Sequence, residues 1–187
     1  VINSFGSTAI AGYSAGMRIE SLSIVPMLAM GNAMSTFTAQ NMGAGKIDRV
    51  KEGYRMCYVI VLTAGAVLCV MYQLAGGAFV SLFLDSGSSE AYSVGLSYVK
   101  FLSFFYSFIG LKASTDGLLR GAGDVTAFTV ANLVNLAIRV SVTNLFAPVY
   151  GIQVAWMAVP LGWAANYVIS FGWYLTGKWK KVRVIKK

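Results

Sequence analysis

The sequence has no histidine and few acidic residues, and each deficit limits what the protein can do. Its 187 residues include no His, 7 Asp and Glu, 15 Lys and Arg, and 2 Cys. Without histidine, the side chain used most often for proton transfer and metal binding near neutral pH is missing. Cys57 and Cys69 both fall in one apolar stretch, so they predict neither a disulfide nor a zinc site.

Sequence motifs for catalysis are also missing. No catalytic dyad, phosphate-binding loop or cluster of metal ligands is recognisable. The GAGD segment at residues 121–124 lacks the preceding strand and the third glycine of a nucleotide-binding fingerprint, and is better explained as a tight turn. We therefore predict no catalytic residues, no bound metal and no enzyme activity.

Charge is absent from long stretches of the chain. No charged residue occurs from Met56 to Leu84, and this block is one of five that are long enough to cross a bilayer. Residues 1–177 are predicted to form one transmembrane domain, with helices over about 14–41, 56–84, 91–119, 126–148 and 152–176. The sequence therefore predicts an all-α integral membrane protein that crosses the cell membrane several times.

The charges that are present lie in the connections, and basic residues mark alternate sides. The 42–55 connection is rich in Lys and Arg, the 85–96 connection has only acidic charges, and the 178–187 tail is strongly basic. Because Lys and Arg are retained on the cytoplasmic face, we expect the 42–55 connection and the tail to be cytoplasmic. Anionic lipids attract such a tail, so the net charge of +8 indicates a lipid bilayer rather than a nucleic acid as partner.

Two segments are predicted to lie outside the five spans. The first residue is Val1, and no signal peptide precedes the apolar blocks, which indicates a piece of a longer protein. We expect residues 1–12 to be the tail of a preceding helix at the outer face. Apolar residues at helical spacing within 47–54, beside basic ones, predict a short helix lying in the membrane interface.

Polar residues inside predicted spans are costly and therefore informative. Two helices carry them on one face each, and either face could pack through hydrogen bonds or line a water-filled cavity. The serines favour packing, whereas Arg139 favours a cavity. The face on the fourth helix holds Thr129, Asn132, Asn135, Arg139 and Thr143, and the face on the third holds Ser97, Lys100, Ser103, Ser107, Gly110 and Ser114.

Arg139 is placed near the middle of the membrane. It lies about 20 Å from the cytoplasmic end of its predicted helix, and no acidic residue of the sequence matches that depth. Its partner is therefore an asparagine or carbonyl of the same bundle, an acid on another segment, or a ligand. We predict that Asn132, Asn135 and Arg139 line a substrate cavity.

Lys112, Asp116 and Arg120 form a ladder of charges one helical turn apart. Asp116 can neutralise either neighbour. A structural ion pair near the cytoplasmic end is the favoured interpretation. The alternative is a gate or proton-binding group that exchanges partners during a transport cycle.

The first helix has two features with open interpretations. Met27, Met30 and Met34 align on one face, which suits a promiscuous substrate surface but also a packed or lipid-facing stripe. Pro26 deletes a backbone hydrogen bond, and the resulting bend either serves packing or opens a cavity.

The order and spacing of several short motifs resemble the C-terminal half of the multidrug and toxic compound extrusion (MATE) transporters. The resemblance covers almost the whole chain. It rests on GSTAIAGY (6–13) before a helix with Pro26, QNMGAG (40–45), LRGAGD (119–124), Asn135 with IRV (138–140), Gly151-Ile152, VPLGW (159–163) and Tyr174 with GKW (177–179).

The resemblance implies a twelve-helix, pseudo-symmetric transporter made of two six-helix bundles. This chain would hold the end of helix 7 and helices 8–12, with the N-terminal half of the same transporter as its partner. Family members export drugs in exchange for Na⁺ or H⁺. Ile109 stands where one branch of the family has an acid, so the coupling-ion site is expected outside this chain, and no other cofactor is implied.

Three functions are compatible with these observations. The first is secondary-active export of amphipathic or cationic small organic compounds in exchange for Na⁺ or H⁺. The second is a lipid-linked oligosaccharide flippase of the same superfamily, which a strongly cationic cavity would favour. The third is a membrane scaffold without transport, in which the polar faces should pack without a cavity.

Overall fold

The computed structural model describes residues 5–85 and 90–181, and this part of the chain consists of helices and short connections, with no strand. The last six residues of the predicted basic tail and residues 86–89 of the 85–96 connection lie outside the described residues. The helices are α1 (Ser7–Gly43), α2 (Ile47–Ser81), α3 (Glu90–Ser103), α4 (Tyr106–Gly121), α5 (Val125–Tyr150) and α6 (Gln153–Leu175), followed by a 3₁₀ turn (Lys178–Lys181). The predicted all-α class is confirmed.

Four of these helices are long and apolar enough to cross a membrane, namely α1, α2, α5 and α6. The short helices α3 and α4 meet at an angle of 53° and together pass the same test as one bent span. The described residues thus provide up to 5 spans, in the order predicted from the charge-free blocks.

Helix α1 starts earlier than predicted. Residues 7–12, expected to be the tail of a preceding helix, form its first turns. No proline or charge interrupts the chain there, and small residues let α1 lie close to α3. A Cβ on Gly16 would fall only 2.5 Å from a ring carbon of Tyr98.

The predicted interfacial helix is not a separate element. Residues 47–54 are the first turns of α2, which continues without a break to Ser81. Val50 and Tyr54 are buried, and the Tyr54 ring lies 4.6 Å from that of Tyr174. Helix α2 begins before the charge-free block at Met56, and its buried residues run from Val50 to Val80. The apolar side chains of residues 47–54 therefore face the bundle.

The predicted third helix is divided into α3 and α4 by side chains. The Lys100 carbonyl accepts hydrogen bonds from the Gln73 amide at 2.9 Å and the Ser103 hydroxyl at 2.7 Å. The backbone N–H of Phe105 bonds instead to the Leu102 carbonyl three residues earlier, at 2.8 Å. Polar side chains have replaced the regular helical ladder, so the span bends without a proline.

Helix α4 is central, and it packs against α1, α2 and α6. Glycines bring its backbone onto α1: a Cβ on Gly117 would collide with the Gly31 carbonyl oxygen, and one on Gly121 with that of Ser35. Such close approach through small residues is the usual way in which membrane helices associate. By contrast, α5 packs mainly on α6, and of its residues only Ala127, Ala131 and Ala147 are buried.

Candidate functional site

A cavity of about 340 Å³ lies between α1, α4 and α5. It brings together predicted site residues of two helices, Lys112, Asp116 and Arg120 of α4 and Asn132 of α5. Its other lining residues are Leu28, Gly31, Asn32, Ala113, Gly117 and Phe128. The close contact of α1 with α4 forms one wall, and α5 stands off to form the other.

Asp116 is the centre of a polar cluster that we call the Asp116 site, formed by Asp116, Lys112, Asn132 and Ser170. The Lys112 ammonium lies 3.1 Å from Asp116 Oδ2, and the Ser170 hydroxyl donates to Asp116 Oδ1 at 2.6 Å. Only 13% of the Lys112 side chain and 6% of the Asp116 side chain are exposed. Two buried charges at this distance depend on each other, because removing one strands the other.

Asn132 completes the Asp116 site from α5. Its side-chain Oδ1 accepts from the Lys112 ammonium at 3.1 Å. Its side-chain Nδ2 donates to Asp116 Oδ2 at 3.4 Å and to the backbone carbonyl of Phe128 at 2.8 Å. One side chain therefore bonds both charges of the pair. It also supplies one of the few links between α4 and α5.

Arg120, the third member of the predicted ladder, does not pair with Asp116. It donates to the side-chain Oδ1 of Asn32 on α1 at 2.8 Å, and its guanidinium lies 5.6 Å from the centre of the Phe128 ring. Of the two neighbours that could neutralise Asp116, the structure selects Lys112. Arg120 instead ties the C-terminal end of α4 to α1 and lines the cavity.

Arg139 and Asn135 lie against Gly162 of α6, away from the Asp116 site. A Cβ on Gly162 would lie 2.9 Å from Arg139 Cγ, so the glycine makes room for the arginine stem. The Arg139 side chain is exposed, and none of the ion pairs in the described part of the chain involves it. The side-chain Oδ1 of Asn135 is buried without a hydrogen-bond partner. Both side chains thus have binding capacity that the described residues leave unused.

The polar face predicted on the third helix packs against α2 rather than against α5. Ser103 accepts from the Gln73 amide at 2.9 Å, and the Ser114 hydroxyl lies 3.1 Å from the Cys57 sulfur. A Cβ on Gly65 would collide with Ser107. These serines form a tight helix contact, as the packing interpretation predicted.

The three methionines of α1 lie in different surroundings. Met27 and Met34 are buried in the core. Met30 and Met34 also line an apolar pocket of about 280 Å³ between α1 and α2. The alignment in sequence therefore does not make a common surface with the Asp116 site.

Sequence reasoning missed Glu20, a carboxylate buried inside α1. The Tyr98 hydroxyl of α3 donates a hydrogen bond to Glu20 Oε2. A helix that starts at residue 14, as predicted, puts Glu20 near the helix end, which is why no acid was expected deep in the membrane. In the structure the helix starts at Ser7, so Glu20 lies about 20 Å along it, well inside the span.

Long apolar helices around a buried ion pair and a polar cavity define an α-helical, multi-span membrane protein. The model of the MatE family matches residues 1–146, and the chain belongs to this family.

The curated relatives that the chain resembles are described as probable multidrug resistance proteins. The chain is 29% identical over 185 residues to the probable multidrug resistance protein YpnP of Bacillus subtilis, covering 98% of this chain and 41% of the relative. It is 22% identical over 191 residues to the probable multidrug resistance protein NorM of Thermotoga maritima, covering 97% of this chain and 39% of the relative. The chain thus spans about two fifths of the length of these relatives.

Solved structures show the same fold. A MATE crystal structure in the bent conformation superposes with a TM-score of 0.84 at 17% identity, over 95% of this chain and 40% of that one. The inward-facing conformation of a multidrug resistance MATE family transporter gives 0.83 at 17% identity, over 92% of this chain and 39% of that one. The helix arrangement is therefore that of MATE transporters.

Proposed function

We propose that this chain is the C-terminal lobe of a secondary-active exporter of amphipathic or cationic organic compounds. The observation that carries the proposal is the cavity between α1, α4 and α5, with a charged cluster in its wall. Membership of a family whose relatives are described as multidrug resistance proteins supports it. A scaffold without transport would be expected to pack its polar faces against each other, as α2 and α4 do.

Transport requires a second wall for the cavity. Repeat-built carriers alternate access by moving one bundle against the other around a site near the membrane midplane. We propose that the N-terminal half of the same transporter supplies that wall and faces Arg139 and the exposed surface of α5. The exposed Arg139 side chain supports this arrangement, since a charged group is costly when it faces lipid.

We propose Na⁺ or H⁺ as the coupling ion. The position at which one family branch carries an acid is Ile109, which is buried among apolar side chains. Asp116 is already paired with Lys112. A coupling site beyond this chain agrees with both facts. Glu20 is a further acid that could exchange a proton, because Tyr98 is its hydrogen-bond partner and no cation lies within salt-bridge distance in the described residues.

The function is tested by dye efflux from cells that lack their own exporters. The complete transporter should export a fluorescent cationic dye when a Na⁺ or proton gradient is imposed, whereas residues 1–187 alone should not exceed the empty vector. The fragment lacks an opposing surface to move against. Gradient-dependent efflux by the fragment would show that one lobe suffices, and absence of efflux by the complete transporter would refute the exporter proposal.

We also propose an orientation in the cell membrane, with the α1–α2 connection and the basic tail in the cytoplasm. Cysteines are introduced separately at two exposed positions, Glu52 and Glu90, in a variant without Cys57 and Cys69. An impermeant thiol reagent should label the Glu90→Cys protein in intact cells and the Glu52→Cys protein only after permeabilisation. This pattern is expected because the excess of Lys and Arg marks the cytoplasmic side. The opposite labelling pattern would show that the orientation is reversed.

A further inference from the structure

The Asp116 site carries its own cation. We propose that the Lys112 ammonium occupies a binding site for a monovalent cation, and that removing this side chain turns Asp116, Asn132 and the adjacent cavity into a Na⁺ site. The inference rests on the proposed function only in that it is tested in the complete transporter. It goes beyond that function by assigning a latent metal site to this lobe.

The oxygen atoms around the ammonium are arranged as ligands for a cation. Asp116 Oδ2 and Asn132 Oδ1 both lie 3.1 Å from Lys112 Nζ. The side-chain Nδ2 of Asn132 donates to the Phe128 backbone carbonyl, and this bond turns Asn132 Oδ1 toward the ammonium. Na⁺ is a hard cation like Ca²⁺ and Mg²⁺, and such ions prefer carboxylate, carbonyl and water oxygens.

The carboxylate would remain in position without Lys112. The Ser170 hydroxyl of α6 donates to Asp116 Oδ1 at 2.6 Å, and the Asn132 amide group donates to Oδ2 at 3.4 Å. These neutral donors hold both oxygens but bring no positive charge. Lys112 is the one cation within salt-bridge distance of Asp116 in the described part of the chain.

Arg120, the other basic residue that lines the cavity, does not supply a replacement charge. Arg120 lies one turn further along α4 and donates to Asn32 and Ser35 of α1 instead. Without Lys112, the Asp116 carboxylate would be a mostly buried anion without a counterion, which must gain one from solution or become protonated. The cavity of about 340 Å³ beside it has room for a hydrated ion to enter.

The native lysine therefore keeps Na⁺ away from Asp116. A tethered ammonium has a high effective concentration at its partner, in the same way as a linked binding module. The lobe would retain a neutral, closed Asp116 site throughout the cycle, and its ion coupling would proceed elsewhere.

The test compares thermal unfolding of the purified complete transporter at pH 8 in NaCl and in choline chloride of equal concentration. For Lys112→Ala, Na⁺ at about ten times its dissociation constant should raise the unfolding midpoint by about 1.5 °C more than in the unchanged protein. Lys112→Ala combined with Asp116→Asn should lose this extra shift. Lys100→Met is a matched lysine control on the same bent span, and should respond like the unchanged protein.

Each outcome decides the proposal. No extra Na⁺ response in Lys112→Ala, or a response that persists in the double variant, would overturn it. If Lys112→Ala protein can be purified only in Na⁺, that dependence supports the site. If it fails to fold in both salts, Lys112→Gln is measured instead, and no extra response there also overturns the proposal. Transport is not the readout, so a failure here leaves the exporter proposal standing.

Discussion

Replacing Gly117 by valine is expected to destabilise the bundle by about 3 kcal/mol or more. A Cβ at this position would collide with the Gly31 carbonyl oxygen, which belongs to backbone and cannot rotate away. Helices α1 and α4 would have to separate, which also disrupts the wall of the cavity. The loss is measured as a lower unfolding temperature in detergent, together with a smaller fraction of monodisperse protein.

Gly172→Val is the matched control for this change. Gly172 also lies inside a membrane-spanning helix, but nothing comes within 4 Å of a Cβ built on it. The same substitution therefore has the same effect on helix propensity without a clash, and it should change stability by less than about 1 kcal/mol. Equal losses for the two variants would show that close helix contact is not what Gly117 provides.

Replacing Arg139 by alanine is expected to reduce efflux by the complete transporter more than about 30-fold, with little loss of folded protein. Removing one member of a desolvated charged contact costs about 2–5 kcal/mol of binding free energy. In this lobe the guanidinium is exposed and has no ion-pair partner among the described residues, so its partner would be a ligand or the opposing bundle. Efflux is normalised to the amount of transporter in the membrane.

The outcome for Arg139 separates transport from folding. Arg18→Ala provides the control, because Arg18 is also an exposed arginine on a membrane helix and packs over the Phe83 ring at 6.0 Å. It should leave efflux within about twofold of the unchanged protein, as surface substitutions usually do. If Arg139→Ala instead lowers the unfolding free energy by about 3–5 kcal/mol, then Arg139 is half of a structural pair with another segment.

The features that sequence reasoning predicted depend on local rules. Charge-free blocks locate the spans, because an unpaired charge in hydrocarbon is costly wherever it lies. The spacing of Lys112 and Asp116 predicts their ion pair, because residues four apart in a helix share a face. The contact of Asn132 with that pair could only be anticipated as a shared polar face, since the approach of α5 to α4 depends on tertiary packing.

The features that could not be predicted from the sequence depend on contacts between distant segments. The bend between α3 and α4 requires Gln73, which lies on another helix, to bond the Lys100 carbonyl. Sequence around Lys100 holds no proline or glycine pair that would mark a kink. Glu20 was overlooked because a boundary error of a few residues changes the apparent depth of a side chain by about 1.5 Å per residue.

The bend between α3 and α4 also decides on which side of the membrane the rest of the chain lies. With 14 and 16 residues, the two helices are about 21 and 24 Å long, and each is too short to cross a hydrocarbon core of about 30 Å by itself. Counted together as one bent span, they bring the number of candidate spans to 5, which is odd. An odd number places Ser7 and Leu175 in different compartments. We therefore expect reporter proteins fused at these two points to meet different redox conditions. A reporter that matures in only one compartment would then fluoresce at only one of the two points.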